Sequence, residues 1–432
     1  MKEGVPLKTI QIREFESFIV GAKSGERIDD YVTLKRDSFE LLEQFLRTTR
    51  GRDDALELMS LSWRARVGSV ITAKNYVGLI ALKDGTSIEI LPKIHSAVAD
   101  SDGGRTKRLV MDMLRTLPEF PSKTVQLAGV DISKLDIFEI FVRMFLDEVF
   151  RIAKHGLKCG YETVEENTNC FKGKMLFSQQ LRKNHAHKER SFVAYDVFTV
   201  NRPENRILKA TLLFLSRNTK SAKSRTDIKN LLNSFSEVEV FANHWQDFQK
   251  CTSGRNMKDY VAALKWSRVF LMGESFTSFA GSQSAFALLF PMERLYESYV
   301  ASMLKRYLNN QVYSVTAQER GTWLFENPKE FAMRPDLVIR RGNDVFVMDT
   351  KWKLLNPAKP NGGISQADMY QMCEYQRKFC AKHVTLLYPK PESGADSIKK
   401  EYLSDDGMTV RLSFVDLFDM DGSLKKIACI LS

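Results

Sequence analysis

Residues 334–351, RPDLVIRRGNDVFVMDTK, are the stretch of this chain that decides its predicted fold. Two apolar runs flank Gly342-Asn343, a pair that favours the positive φ angles of a tight hairpin turn. When those two residues form the loop, equal steps outward along both strands place Asp336 directly opposite Asp349. The stretch therefore predicts an antiparallel hairpin of fixed register with two facing carboxylates.

Facing carboxylates are unfavourable unless a cation lies between them. Directly opposed side chains have Cβ atoms roughly 4.5–5.5 Å apart, where like charges repel. Lys351 follows Asp349 by two residues, so the strand period of two points both side chains to one face. Carboxylate oxygens suit Mg²⁺, and such a site could hydrolyse phosphodiester bonds. The alternative is an ordinary surface hairpin whose acids pair with lysines.

The helix before the hairpin carries two further acids. Pro291 favours a helix start, and Glu293 and Glu297 lie four residues apart on one face. We select Glu297 as the candidate for the site because its neighbours on the helix are apolar. The alternative is a solvated glutamate that pairs with Arg294 or Lys305.

The helix after the hairpin, predicted over residues 364–379, places Gln371 and Tyr375 on one face. The pattern predicts a central mixed sheet flanked by helices. Its predicted elements are a strand pair formed by residues 323–325 and 336–340, a strand over 345–351 that is parallel to one over 384–388, and an edge strand over 409–415.

Composition limits the class of protein and its partners. A chain of 432 residues is long enough for two or three domains. Its net charge of +11, from 64 Lys+Arg against 53 Asp+Glu, suggests a polyanionic partner such as nucleic acid. The six cysteines form no Cys-x-x-Cys pair, which indicates reduced thiols and neither a disulfide framework nor a zinc site. We interpret His185 and His187 as part of a solvated basic face.

Several segments and functions are not expected from the sequence. The amino-terminal residues lack the apolar core of a signal peptide, and no apolar run approaches the ~18 residues of a membrane span. We therefore expect a cytoplasmic protein without a membrane partner. Gly21–Gly25 lacks the spacing and the lysine of a phosphate-binding loop, so nucleotide hydrolysis by the chain itself is not expected. The predicted linkers are residues 97–106 and 276–284.

The motifs resemble those of known nuclease families. Pro335-Asp336 followed by Asp349-x-Lys351 resembles the PD-(D/E)xK nuclease superfamily, and Gln371-x-x-x-Tyr375 is similar to an element of RecB-like nucleases. The wider pattern resembles the McrC family, from about residue 70 to 390. The segments that carry this likeness are Asn75–Gly78, Ile88–Lys93, Gly156-Leu157, Tyr161, Glu165–Asn167, Phe171–Met175 and Asn201–Lys209. Asn201 departs from the aspartate of many relatives.

The resemblance implies a role for each site residue. Asp336, Asp349 and Glu297 would hold Mg²⁺, and Lys351 would orient the attacking water and stabilise phosphate charge. Gln371 and Tyr375 would support the site and contact the DNA backbone.

The resemblance also implies a fold and partners. We expect an α+β multidomain protein with a β-rich partner-binding module over 1–100, a mainly helical middle over 101–280 and a PD-(D/E)xK nuclease domain over 281–432. The partners would be methylated DNA and a McrB-like AAA+ GTPase ring, whose GTP hydrolysis the amino-terminal part stimulates. Cutting both DNA strands would need two copies of the chain.

Other interpretations remain open at this stage. The chain could be an autonomous repair nuclease, or a non-catalytic activator of a partner NTPase. The basic segment Lys172–Arg190 could approach DNA or an acidic face of the ring, or it could be a solvated helix face. Arg206 could orient loops of the partner or form a structural salt bridge.

Overall fold

The computed structural model describes most of the chain, namely residues 9–49, 58–94, 104–118, 120, 136–240, 244–251, 257–272, 285–308, 312–391 and 395–431. The chain divides into two compact units. The first unit comprises residues 1–123, 127–137 and 275–432, and the second comprises 124–126 and 138–274. The three-domain division expected from the sequence stays a prediction.

The amino-terminal part of the first unit is rich in β-structure. Its strands are β1 (Thr9–Arg13), β2 (Ser17–Val20), β3 (Arg27–Ile28), β4 (Tyr31–Leu34), β5 (Met59–Arg64), β6 (Gly68–Ala73), β7 (Tyr76–Leu82) and β8 (Ser87–Leu91). Its helices are α1 (Arg36–Thr49) and α2 (Gly104–Thr116), so residues 104–106 of one predicted linker begin a helix. The rest of that linker, and all of the linker at 276–284, lie outside the described residues.

These strands form two sheets that share one apolar core. One sheet has the order β3-β4-β2-β6-β5, and the other begins β1-β8-β7. The hairpin of β7 and β8 is antiparallel and turns at Asp84-Gly85, a pair that favours tight turns, and Gly85 has a φ of +88°. Side chains from both sheets and from α1, including Phe18, Phe39 and Ile80, pack together in the core.

The second unit is mainly helical but contains a long hairpin. Its elements are α3 (Ile137–His155), β9 (Gly160–Thr168), β10 (Lys174–Met175), α4 (Phe177–Lys183), β11 (Ser191–Thr199), α5 (Pro203–Asn218), α6 (Ala222–Ser234), α7 (His244–Lys250) and α8 (Lys258–Met272). The three strands pair antiparallel in the order β10-β11-β9. Helix α5 packs against α6, α7 and α8.

Arg206, on α5, forms the structural salt bridge that was one of its two interpretations. It is 8% exposed, and its guanidinium lies 2.7 Å from Asp247 Oδ1. It also donates to the carbonyl of Asn201, whose side chain accepts from the amide of Glu239. In the basic segment, Lys172 pairs with Glu166 at 2.9 Å.

The carboxy-terminal part returns the chain to the first unit. Its elements are β12 (Ala285–Pro291), α9 (Met292–Leu308), β13 (Ser314–Ala317), β14 (Thr322–Glu326), β15 (Lys329–Met333), β16 (Leu337–Arg341), β17 (Asp344–Thr350), α10 (Gln366–Lys378), β18 (His383–Pro389), β19 (Glu401–Leu403), β20 (Thr409–Val415) and α11 (Met420–Ile430). Within the described residues, no helix combines the length and apolar character needed to cross a membrane. All six cysteines are free thiols, as expected.

A glycine fixes how β12 joins the amino-terminal sheet. β12 pairs antiparallel with β7 and completes the order β1-β8-β7-β12. Gly78 in β7 has a φ of +137°, and a Cβ at this position would lie 2.0 Å from the carbonyl oxygen of Leu288. Only glycine permits this approach. Since α9 follows β12 directly, the pairing also sets where α9 begins.

A six-stranded mixed sheet holds the candidate site. Its order is β13-β16-β17-β18-β20-β19, with β17, β18 and β20 parallel and the remaining pairs antiparallel. Helix α10 connects β17 to β18 and packs against both strands. Its Met372 and Tyr375 are buried against Val347 and Leu386 of the sheet.

Two strand predictions were wrong. Residues 323–325 were expected to pair with 336–340, but β14 pairs with β15 in a separate two-stranded sheet, and β16 pairs with β13. The strand at 409–415 was expected at the edge, but the short β19 pairs with it and occupies the edge. A three-residue edge strand limits pairing with other chains.

Candidate active site

The predicted hairpin is present with the predicted register. Leu337 is the partner of Met348, so one further step outward brings Asp336 opposite Asp349. Gly342 opens the turn with a φ of +57°, and Asn343 is not in the positive-φ region, as in turns where glycine stands first. Asp336 lies just before β16 and Asp349 lies within β17.

Asp336 is held from the opposite strand. Its Oδ2 accepts hydrogen bonds from the Thr350 amide at 2.7 Å and from the Thr350 hydroxyl at 2.6 Å. Burial raises the pKa of Asp336, although these two hydrogen bonds and the charge of Lys351 oppose the rise. The carboxylate is therefore fixed in direction and partly desolvated.

Asp349 is the most enclosed acid of the group. It is 2% exposed, and its Oδ2 is buried without a hydrogen bond of normal geometry. The same oxygen lies 2.7 Å from Lys351 Nζ, so the contact is an ion pair with poor hydrogen-bond direction. Burial and the charge of Asp336 raise the pKa of Asp349 to about 6. Two carboxylates that oppose each other's ionisation attract a cation.

Lys351 links the hairpin to α10. Besides Asp349, its ammonium lies 3.7 Å from Asp368 Oδ1, and it donates to Gln371 Oε1 at 3.3 Å. Gln371 Nε2 in turn donates to the Tyr375 hydroxyl at 2.9 Å. Burial is the largest single influence and acts to lower the pKa of Lys351, but the contact with Asp349 and the charges of Asp368 and Asp336 together outweigh it, so the pKa is raised. The side chain thus stays a cation at neutral pH.

Glu297 reaches the same site from α9. It accepts a hydrogen bond from Gln318 Nε2 at 2.8 Å. Burial, followed by the charges of Asp336 and Asp349, raises the pKa of Glu297 to about 7. The structure therefore brings together all six residues selected from the sequence. Glu293, the second acid on that helix face, instead accepts a hydrogen bond from Asn75 at 2.9 Å.

Two contributors were missed at the sequence level. Thr350 lies between Asp349 and Lys351, and its hydroxyl was not considered as the anchor of Asp336. Asp368 lies in the first turn of α10, one helical turn before Gln371, and this spacing could have predicted that both reach Lys351.

The donor set suits a hard divalent cation. Three partly desolvated carboxylates and a buried oxygen without a directed hydrogen bond would all be stabilised by such an ion. Among the residues that the structure describes, no group of three or more His, Cys, Asp or Glu side chains is close enough to hold a metal ion alone. An ion here would also need water or phosphate ligands, as Mg²⁺ commonly does.

The amino-terminal part also contacts the segment that directly follows β17. Trp352, next to Lys351, donates from Nε1 to Glu14 Oε1 at 3.0 Å, and the Lys93 amide donates to Glu14 Oε2 at 3.0 Å. Glu14 is 1% exposed, and burial raises its pKa to about 7. Trp352 also packs against Tyr296 of α9, with ring centroids 5.4 Å apart.

Comparisons with known proteins agree with this architecture. The family profile described as McrBC 5-methylcytosine restriction system component matches residues 71–389. A chain of the refined half-complex from a tetradecameric assembly of Thermococcus gammatolerans McrB AAA+ hexamers with bound McrC is similar in fold. Its TM-score is 0.64 at 16% identity, over 97% of this chain and 100% of that chain.

A second solved structure is less similar. It is the Thermococcus gammatolerans McrBC complex, with a TM-score of 0.47 at 18% identity over 70% of this chain and 88% of that chain. A likeness at that level does not establish a shared fold. No curated protein matches the chain significantly.

Proposed function

The chain belongs to the McrBC 5-methylcytosine restriction system component family as an McrC-type member, and from this premise we propose that it is the DNA-cleaving subunit of a GTP-dependent, modification-dependent restriction complex. The observation that carries the proposal is the convergence of Asp336, Asp349, Glu297 and Lys351 at the end of β17. The fold of the carboxy-terminal part would then be that of a PD-(D/E)xK nuclease.

Each side chain has a distinct part in the proposed hydrolysis. Asp336, Asp349 and Glu297 would hold Mg²⁺, which when bound supplies a Lewis acid and a water of lowered pKa. The Lys351 ammonium stabilises the negative charge that develops on the phosphate and orients the attacking water. Gln371 fixes the direction of that ammonium, and Thr350 fixes the direction of the Asp336 carboxylate.

The proposed partner is a McrB-like AAA+ GTPase, because the similar solved structure contains McrC bound to McrB AAA+ hexamers. This chain lacks a phosphate-binding loop motif of its own, which fits a division of labour between two proteins. We further propose that the amino-terminal part stimulates GTP hydrolysis by the ring. Two copies of the chain would cut the two strands of methylated DNA.

Cleavage of methylated DNA in the presence of the GTPase, GTP and Mg²⁺ tests the proposal. We expect Asp349→Asn to lower the cleavage rate by about 10³-fold or more, because losing a metal ligand removes several kcal/mol of charge stabilisation. Asp344→Asn is the matched control, since Asp344 lies in the same strand but pairs with Lys382 on the surface. Cleavage by Asp349→Asn at the native rate would refute the assignment.

The same assay separates the other interpretations. An autonomous nuclease would cut DNA without the GTPase and without GTP. A non-catalytic activator would raise the GTPase rate while DNA stays intact under every condition. The proposed subunit stimulates the GTPase and cuts DNA when the GTPase, GTP, Mg²⁺ and methylated DNA are all present. In the same mixture, Asp349→Asn should lose cleavage while the stimulated GTPase rate persists.

A further inference from the structure

A cleft lies beside the candidate site, at the carboxyl end of β17. We call it the strand-end cleft; its volume is about 810 Å³, and Phe15, Lys93, Lys351, Lys353 and Lys359 are among the residues that line it. A volume of this size falls in the range of ligand-binding sites, roughly 300–1,000 Å³. The cleft is formed by both the amino-terminal and the carboxy-terminal part of the first unit.

The acids of the strand-end cleft are already engaged within the protein. Glu14 is buried and accepts hydrogen bonds from Trp352 and from the Lys93 amide. Glu293 accepts from Asn75, and Asp368 lies beside the Lys351 ammonium. These contacts occupy the acids, and the remaining interaction with the cleft lysines is the electrostatic attraction between Glu14 and Lys93, which does not form an ion pair within the described residues.

Three of those lysines are available to a ligand. Lys93, Lys353 and Lys359 are exposed, and within the described ranges none of them forms an ion pair. Lys93 comes from the end of the amino-terminal sheets, whereas Lys353 and Lys359 follow β17. Together with Lys351 they bring four lysine side chains to the lining of one cleft beside the candidate site.

An exposed aromatic ring stands in the same cleft. Phe15 is 53% exposed and has a φ of +67°, a conformation that costs free energy for a residue with a side chain. The turn is held by a hydrogen bond from its amide to the carbonyl of Ala73 at 3.1 Å. An exposed aromatic ring beside unpaired lysines is the combination that binds single nucleic-acid strands, by stacking on bases and by contacting phosphates.

We propose that the strand-end cleft binds one strand of the DNA next to the phosphate that is cut, with Lys93, Lys353 and Lys359 on backbone phosphates and Phe15 against a base. This inference rests on the proposed nuclease function and adds the position of the substrate strand. It also makes the amino-terminal part, through Phe15 and Lys93, a component of the substrate site. An acidic peptide would use the lysines but would have no need of the Phe15 ring.

Binding of a fluorescent single-stranded oligonucleotide, followed by anisotropy, tests the inference. The full chain carries Asp349→Asn so that the DNA stays intact. In this background, the cleft triple variant replaces Lys93, Lys353 and Lys359 by alanine. The matched control replaces three exposed lysines of the same unit, Lys83, Lys329 and Lys425, so the loss of net charge is equal.

We expect the cleft triple variant to weaken binding at least 30-fold, and the control triple variant by less than threefold. Affinity falls as salt rises, and the steepness of log affinity against log salt should decrease by about 2 in the cleft variant. Each of the three lost phosphate contacts to a single strand contributes about 0.7 to that steepness. Phe15→Ala alone should weaken binding about fivefold or more. Unchanged thermal unfolding of all variants shows that they are folded.

Equal weakening by the two triple variants would overturn the inference, because bulk charge alone would then explain binding. If the cleft triple variant keeps its affinity for the oligonucleotide, the DNA strand binds elsewhere and the inference is wrong. If Phe15→Ala keeps its affinity, no base contacts the Phe15 ring and the cleft fits an acidic peptide instead. Native protein that fails to cut methylated DNA with its GTPase would instead refute the proposed function. The two failures are therefore distinguishable.

Discussion

At the scale of single residues, the candidate site concentrates negative charge where the protein itself offers limited compensation. Asp349 and Glu297 ionise less readily than exposed acids because they are buried close to other carboxylates. Thr350 and Lys351 offset part of the unfavourable charge. Folding alone gives no reason to gather these acids, whereas a bound cation would offset their charge.

The bond from Lys351 to Gln371 predicts a role for Gln371 in positioning. Gln371→Ala should lower the cleavage rate about 10- to 100-fold, because the ammonium loses the partner that fixes its direction. Single-turnover cleavage by the reconstituted complex measures the effect. Gln366 forms an equivalent but exposed pair with Tyr370 on the same helix, so Gln366→Ala is the control and should cleave normally. Equal rates for the two variants would contradict a positioning role.

The burial of Glu14 predicts that its contribution to the free energy of unfolding depends on pH. Its pKa is raised from an ordinary 4.5 to about 7 in the folded chain. The protonated Glu14 side chain therefore contributes its full stabilisation of the fold below pH 4.5, and this contribution is lost as pH rises through 7. Glu14→Gln keeps an acceptor for Trp352 but cannot ionise. Relative to the native chain, its free energy of unfolding should therefore rise by about 3 kcal/mol between pH 4.5 and 8.

Urea unfolding of both proteins at several pH values measures this difference. Glu40→Gln, the same substitution at an exposed acid of the same unit, serves as the control. A constant difference between Glu14→Gln and the native chain across the range would show that Glu14 ionises normally when folded.

At the scale of secondary-structure elements, what the sequence predicts correctly is local. The hairpin of β16 and β17 follows from its turn and its period of two, and the parallel pairing of β17 and β18 follows from the intervening helix. The pairing of β14 with β15 was missed because several strands of similar composition compete for each edge. Local pattern does not decide between such partners.

The close approach of β7 and β12 predicts a much larger loss of stability for alanine at Gly78 than for alanine at Gly342. Gly78→Ala should destabilise the protein by more than about 3 kcal/mol or prevent folding, because its Cβ would clash with the backbone of Leu288. A Cβ on Gly342 meets nothing within 4 Å, so Gly342→Ala should cost only about 1 kcal/mol. Thermal unfolding compares the two. Similar stabilities would show that β12 does not approach β7 this closely.

At the scale of the whole molecule, the site depends on residues far apart in sequence. Glu14 and Trp352 are separated by 338 positions, and no sequence pattern predicts their hydrogen bond. Membership of the McrBC restriction system family, expected from the motifs, is confirmed by the family match. The six candidate residues could be named because they lie in three local motifs, whereas the contribution of Glu14 and Lys93 needed coordinates.

This dependence predicts how fragments behave. A fragment of residues 281–432 would leave β12 without β7 and α9 without α2, which exposes buried side chains such as Leu288 and Phe290. We expect it to be insoluble or to lack cooperative unfolding. Residues 1–123 joined to 275–432 by a short flexible linker keep both contacts and should unfold cooperatively. A stable, cooperative 281–432 fragment would contradict this dependence.

The most direct test of the metal-dependent site is Mn²⁺ binding to the full chain, followed by electron paramagnetic resonance in place of Mg²⁺. It requires neither the GTPase nor knowledge of the DNA modification. We predict that the native chain and Asp344→Asn bind the ion, and that Asp336→Asn and Asp349→Asn each weaken binding at least 10-fold. Equal Mn²⁺ affinity in the native chain and in Asp349→Asn would contradict a metal site formed by the facing aspartates.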